Sequence, residues 1–135
     1  MKQSKKLNRF TEFILILWLL SCGGHIILSV IQMGEESVTV TEGLFTLLTS
    51  VVAIFFIIKL LNASKIGFYG WLAIEILNPI LVYTLYGDDY DKMFTAITVF
   101  CLQVSILFIS LCFKRDGISG WNAIFKNEDK KNPLE

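Results

Sequence analysis

Four apolar runs, at residues 11–33, 43–62, 68–86 and 93–113, constrain this chain more than any other feature. Each has about the 20 residues that an α-helix needs to cross a hydrocarbon core about 30 Å thick. Lipid offers the backbone no hydrogen-bond partner, so a spanning segment is a helix or belongs to a closed barrel. The runs lack the strict apolar–polar alternation of barrel strands. The expectation is an all-α membrane protein with four transmembrane helices. With 54% of its 135 residues hydrophobic, the chain carries more apolar surface than a soluble domain of this size can hide. It divides into a basic N-terminus (1–10), a four-helix transmembrane domain (11–113) and an amphipathic tail (114–135).

Charge predicts the orientation. The 12 Lys and Arg balance the 12 Asp and Glu, but the two signs are segregated. Lys2, Lys5, Lys6 and Arg9 precede the first run, Lys59 and Lys65 flank the second connection, and Lys114, Arg115, Lys126, Lys130 and Lys131 follow the last run. The first and third connections carry Glu35, Glu36 and Glu42, then Asp88, Asp89 and Asp91, against a single Lys92. The positive-inside rule places both termini and the middle connection in the cytoplasm, with the bilayer, a bacterial cytoplasmic membrane, as the surrounding phase. No basic stripe offers a surface to nucleic acid.

Residues 1–22 also read as a bacterial lipoprotein signal, with a Lys-rich start, an apolar core and then Leu19, Leu20, Ser21 and Cys22. Against this, the apolar run continues past Cys22 through His25 to Ile31, where a lipoprotein has a polar tether. The whole stretch has spanning length and exceeds a signal core.

The chain matches itself. Residues 65–74 and 115–124 share the pattern basic-x-Gly-x-x-Gly-Trp-x-Ala-Ile without a gap. Gly34 with Glu35 and Glu36 corresponds to Gly87 with Asp88 and Asp89, and Trp18 and Trp71 stand the same distance before those corners. This predicts two tandem helical hairpins, parallel because each starts and ends on the same side, about an axis along the membrane normal. In the tail, Ile118, Trp121, Ile124 and Phe125 share one helical face, which predicts a short amphipathic helix lying at the cytoplasmic interface. Trp18, Trp71 and Trp121 are the expected interfacial anchors, since indole joins an apolar ring to a polar N–H. Residues 126–135 are polar and expected to be disordered. The ending Lys114-Arg115-Asp116-Gly117-Ile118-Ser119-Gly120-Trp121 resembles the tails of small four-span bacterial integral membrane proteins. That resemblance implies a fold and brings no activity with it.

Ionisable groups inside a span are costly and are candidate functional sites. Glu75 is the strongest, on a helical face with Trp71, Asn78 and Val82; Pro79, next to Asn78, removes a backbone donor and is expected to bend the helix. Glu75 with Asn78 and His25 reads as a proton or cation site. The alternative is a buried structural pair between Glu75 and Lys59. His25, the single histidine, lies on a polar stripe with Ser21, Ser29 and Gln32. That stripe reads as a proton relay or as hydrogen-bonding glue between helices. Glu12, at the edge of its span, is expected to be solvated.

Small residues, Thr46, Thr49, Ser50 and Ala53 on the second run and Thr98, Cys101 and Ser105 on the fourth, favour close helix approach. Assembly as a homo-oligomer or with another membrane protein is therefore expected. Cys22, Cys101 and Cys112 form no paired motif, so neither a disulfide nor a zinc framework is expected. No metal site, cofactor or catalytic constellation is legible, and the chain does not read as an enzyme. The leading expectation is an accessory, protective or scaffold module acting through helix packing. The alternative is a small transporter or channel using Glu75, Asn78 and His25.

Overall fold

The computed structural model describes residues 6–34 and 39–126. Lys2, Lys5, Glu35, Glu36 and the expected disorder of the last residues lie outside this set. Four long helices follow one another, α1 (Arg9–Gln32), α2 (Val40–Leu61), α3 (Lys65–Tyr86) and α4 (Tyr90–Cys112). A two-stranded hairpin, β1 (Lys114–Arg115) and β2 (Ile118–Ser119), leads into a short helix, α5 (Gly120–Phe125). All four long helices are long and apolar enough to cross a membrane.

Polar caps start three of them. The Asn8 side chain accepts from the Thr11 amide, Thr39 from Glu42 and Asp89 from Lys92. Each cap satisfies one of the amides that a helix N-terminus leaves without a partner. α1 runs unbroken through Gly23 and Gly24 and through Cys22, whose side chain is half-buried.

The helices pack in sequence around a ring, with α4 meeting α1 along a shorter seam. At α2–α3 the contact reaches backbone. A Cβ on Gly67 would lie 2.6 Å from the Lys59 carbonyl carbon and 2.8 Å from Leu60 Cα, so only glycine permits this approach.

The bundle is packed unequally along its length. Leu7, Leu15, Ile57, Leu60, Phe68, Trp71, Leu107, Leu111, Ala123 and Ile124 form one buried cluster. All of them belong to the end that carries the termini. The opposite end, holding the α1–α2 and α3–α4 corners, buries little besides Ser29, Gly43 and Ser50. Outward faces are apolar: Phe13, Leu20, Ile27, Leu48, Ile80 and Leu102 are all more than half exposed. Only 17–28% of the most apolar window of each helix is buried inside the bundle, so most of its apolar surface needs an apolar surrounding.

The termini end is sealed by the tail. Asp116 and Gly117 take φ of 52° and 80°, the two left-handed positions of a tight hairpin turn, for which Asp-Gly is a favoured sequence. The turn swings α5 back under the bundle, where Ala123 and Ile124 are buried. Trp121 packs on Phe68, Phe108 and Phe125 at ring separations of 5.6, 4.9 and 5.9 Å. α5 is thus a plug docked on protein, and Ile118, expected on its apolar face, is in β2 and exposed. The sequence match 65–74/115–124 also splits. Its first half is helix in one copy and hairpin in the other, while Gly70 and Gly120 onward are helical in both.

Polar contacts tie the chain ends together. Asn8 Nδ2 donates to the Ser110 carbonyl at 2.8 Å and to that of Phe113 at 3.2 Å. The Thr11 hydroxyl donates to the Ser110 carbonyl at 3.0 Å. The start of α1 therefore supplies donors to the carbonyls that the end of α4 leaves free. Arg115 Nη1 donates to the Leu7 carbonyl and to Glu12 Oε1, both at 3.0 Å. Glu12 is therefore paired, not merely solvated as expected, because the hairpin brings Arg115 over the first turn of α1.

Candidate functional site

Where the packed end gives way to the looser one, the bundle holds an inner cavity and an open groove that share a wall. The smaller, about 160 Å³, lies inside the ring and is lined by Trp18, Ser21, Cys22, His25, Ser50 and Gln103 among others. The larger, about 490 Å³, is a groove along α3 and α4 lined by Val82, Tyr86, Asp91, Lys92, Ala96 and Phe100 among others. Glu75, Asn78 and Val99 line both.

The Glu75 side chain is met by Gln103 of α4. With the amide nitrogen turned toward the carboxylate, Nε2 donates to Oε2 at 2.6 Å and to Oε1 at 2.9 Å. The opposite amide orientation would suit a protonated carboxyl donating to the Gln103 oxygen, because an amide offers both a donor and an acceptor. The contact is thus satisfied in either charge state of Glu75. Pro79 adds a second effect. In an α-helix the amide of residue 79 donates to the carbonyl of residue 75, and proline has no N–H. The Glu75 carbonyl therefore loses its helical donor, while α3 continues to Tyr86.

The sequence candidates separate. Glu75, Asn78 and His25 all reach the same cavity wall, with His25 on the α1 side. Lys59 does not. Gly67 packs against Leu60 and Gly70 against Phe56, which puts Lys59 level with Phe68, about 10 Å along the helix from Glu75 at 1.5 Å per residue. Its Nζ lies 5.6 Å from the Phe55 ring centroid. The expected Glu75–Lys59 pair is therefore absent; the ion pairs Arg115–Glu12 and Lys92–Asp89 lie elsewhere in the bundle.

Trp71 is also not an interfacial anchor. It is 1% exposed and stacks on Trp18 at 5.2 Å with 5° between planes, forming the floor under the smaller cavity. Diagonal helices bring the two rings together in the ring interior, where burial outweighs a wet N–H. Within the polar stripe of α1, the Ser29 hydroxyl donates to its own helix, at the His25 carbonyl, 2.7 Å away.

Gln103 is the residue that sequence reasoning missed. Its one signal is an amide inside an apolar run, where polar groups are costly unless paired. At the corner end, Lys92 Nζ sits 3.8 Å from the Tyr86 ring centroid and 3.7 Å from Asp89 Oδ2. Among the described residues no group of three His, Cys, Asp or Glu is placed to hold a metal. No known protein family, curated protein or solved structure matches this chain.

Proposed function

We propose that this protein is a four-pass integral membrane protein that works through the Glu75 centre, as a small transporter-type module whose intramembrane carboxyl takes up and releases a proton or cation. Both termini and the α2–α3 connection lie in the cytoplasm in this reading. Lys6, Arg9, Lys59, Lys65, Lys114, Arg115 and Lys126 gather at the sealed end, and Glu42, Asp88, Asp89 and Asp91 at the other, the bias expected of a cytoplasmic and an outer face in a bacterial cytoplasmic membrane. The hairpins α1–α2 and α3–α4 act as tandem halves, supported by the stacking of Trp18 on Trp71 at corresponding positions.

The observation that carries the function is the Glu75–Gln103 contact in the wall shared by the cavity and the groove. Packing alone would be served at lower cost by an amide, since a carboxylate away from bulk water is expensive without a counter-charge. A carboxyl satisfied in both charge states and reached by a cavity is suited to titrate.

The accessory or scaffold reading retains one supporting observation. Thr98, Cys101 and Ser105 lie exposed along α4, a small-residue face suited to another helix of a second copy or of a different membrane protein. The two readings part at Glu75. Dicyclohexylcarbodiimide, a nonpolar reagent, modifies protonated carboxyls that it can reach within a membrane. Applied to the protein in proteoliposomes, it should give one intramembrane adduct, mapped by mass spectrometry to Glu75 and missing from Glu75→Gln. Modification of Glu75 only after unfolding would make it a sealed packing group and overturn the transporter reading.

A further inference from the structure

We propose that the groove between α3 and α4 binds an organic monocation with an apolar body, its charged centre seated at Glu75 and its body against Val82, Ala96, Val99 and Phe100. This rests on the reading of Glu75 as the working site and names the ligand class that the site takes.

The groove has the size and character of a small-molecule site. Its volume of about 490 Å³ falls in the range of about 300–1,000 Å³ over which drug-sized ligands are buried. Glu75 and Tyr86 line its two ends, eleven residues apart on α3, or about 16 Å of helix. Between them the wall is aliphatic and aromatic, which favours an apolar body.

Charge selects the sign. At the floor stand the Glu75 carboxylate and the Asn78 amide, both able to accept. Asp91 lines the mouth, with Asp88 and Asp89 beside it. An anion would meet carboxylates at both ends. A hard divalent metal would need six or more oxygen ligands, more than these groups supply. One carboxylate at the floor neutralises one positive charge.

The chain itself demonstrates the chemistry. The Lys92 ammonium occupies a seat between the Tyr86 ring and Asp89 at the mouth, the cation–π and carboxylate arrangement that an alkylammonium ligand would use. Lys92 is thus a tethered competitor at the mouth, and an arriving cation displaces it before moving down to Glu75.

The test uses radiolabelled tetraphenylphosphonium as the monocation and tetraphenylborate as an anion of closely similar shape, with the full chain in proteoliposomes. Saturable phosphonium binding is expected, together with protection of Glu75 from the carbodiimide by the phosphonium and not by the borate. Glu75→Gln should weaken binding at least about tenfold, the worth of one charge-assisted contact. Glu75→Asp should keep part of it, which separates loss of charge from loss of fold. Ala96→Trp fills the groove and should abolish protection while leaving the carboxyl reactive. Lys92→Gln should tighten binding a few-fold. Equal protection by borate, unchanged affinity in Glu75→Gln, or no saturable binding would overturn the proposal. Carbodiimide labelling of Glu75 without phosphonium binding removes only the ligand class, whereas failure of labelling removes the underlying site.

Discussion

Replacing Asn8 by Ala should unfasten the end of the bundle where the start of α1 meets the end of α4. Asn8 is 4% exposed and does two jobs. Its Oδ1 accepts from the Thr11 amide at 2.8 Å and caps α1, a contribution of about 1 kcal/mol. Its Nδ2 donates to the carbonyls of Ser110 and Phe113. The Ser110 carbonyl keeps the Thr11 hydroxyl at 3.0 Å, so its loss is partial. The Phe113 carbonyl loses a donor in a part-buried position. At about 0.5–1.5 kcal/mol for each bond, the total is about 2–4 kcal/mol. Asn8→Ser separates the two jobs: a serine caps well but does not reach α4, so it should cost about 1–3 kcal/mol. Unfolding in mixed micelles of rising dodecyl sulfate fraction, followed by tryptophan fluorescence, measures both. A serine variant as stable as the parent would refute the link to α4, and an alanine variant within about 0.5 kcal/mol of the parent would refute the whole account.

Trp71→Ala should be among the most damaging substitutions, about 3–5 kcal/mol, because its ring is buried and stacked on Trp18; the same unfolding assay reads it, and a loss below about 1 kcal/mol would contradict the packing described. Gly117→Ala should cost about 1 kcal/mol from backbone conformation alone, since φ is 80° and an added Cβ meets nothing within 4 Å; Gly117→Asn, which tolerates that conformation, should cost visibly less. Topology reporters joined after Lys6, Gly34, Ser64, Gly87 and Lys126 should alternate in, out, in, out, in, and a cytoplasmic signal at Gly34 would overturn the orientation.

Hydropathy is a local property, so the four helices and the segregation of charge at their ends could be read along the chain without any contact being known. The helix starts could not. α2, α3 and α4 begin at Val40, Lys65 and Tyr90, each ahead of its apolar run; in α2 and α4 the reason is a polar first turn, capped by Thr39 and Asp89, that is as helical as the greasy one that follows it. Glu75, Asn78 and His25 stood out as polar groups in apolar runs for the same local reason. What Glu75 touches depended on the register and rotation of helices far apart in sequence. A few residues of axial offset took Lys59 out of reach, and the facing turn of α4 brought Gln103 in. The tail shows the same division. Its apolar spacing foretold a short helix, but whether that helix would meet lipid or protein depended on the Asp116–Gly117 turn and on Arg115 finding Glu12. Side-chain pairing across a bundle is set by the packing of whole helices, and only the assembled structure specifies it.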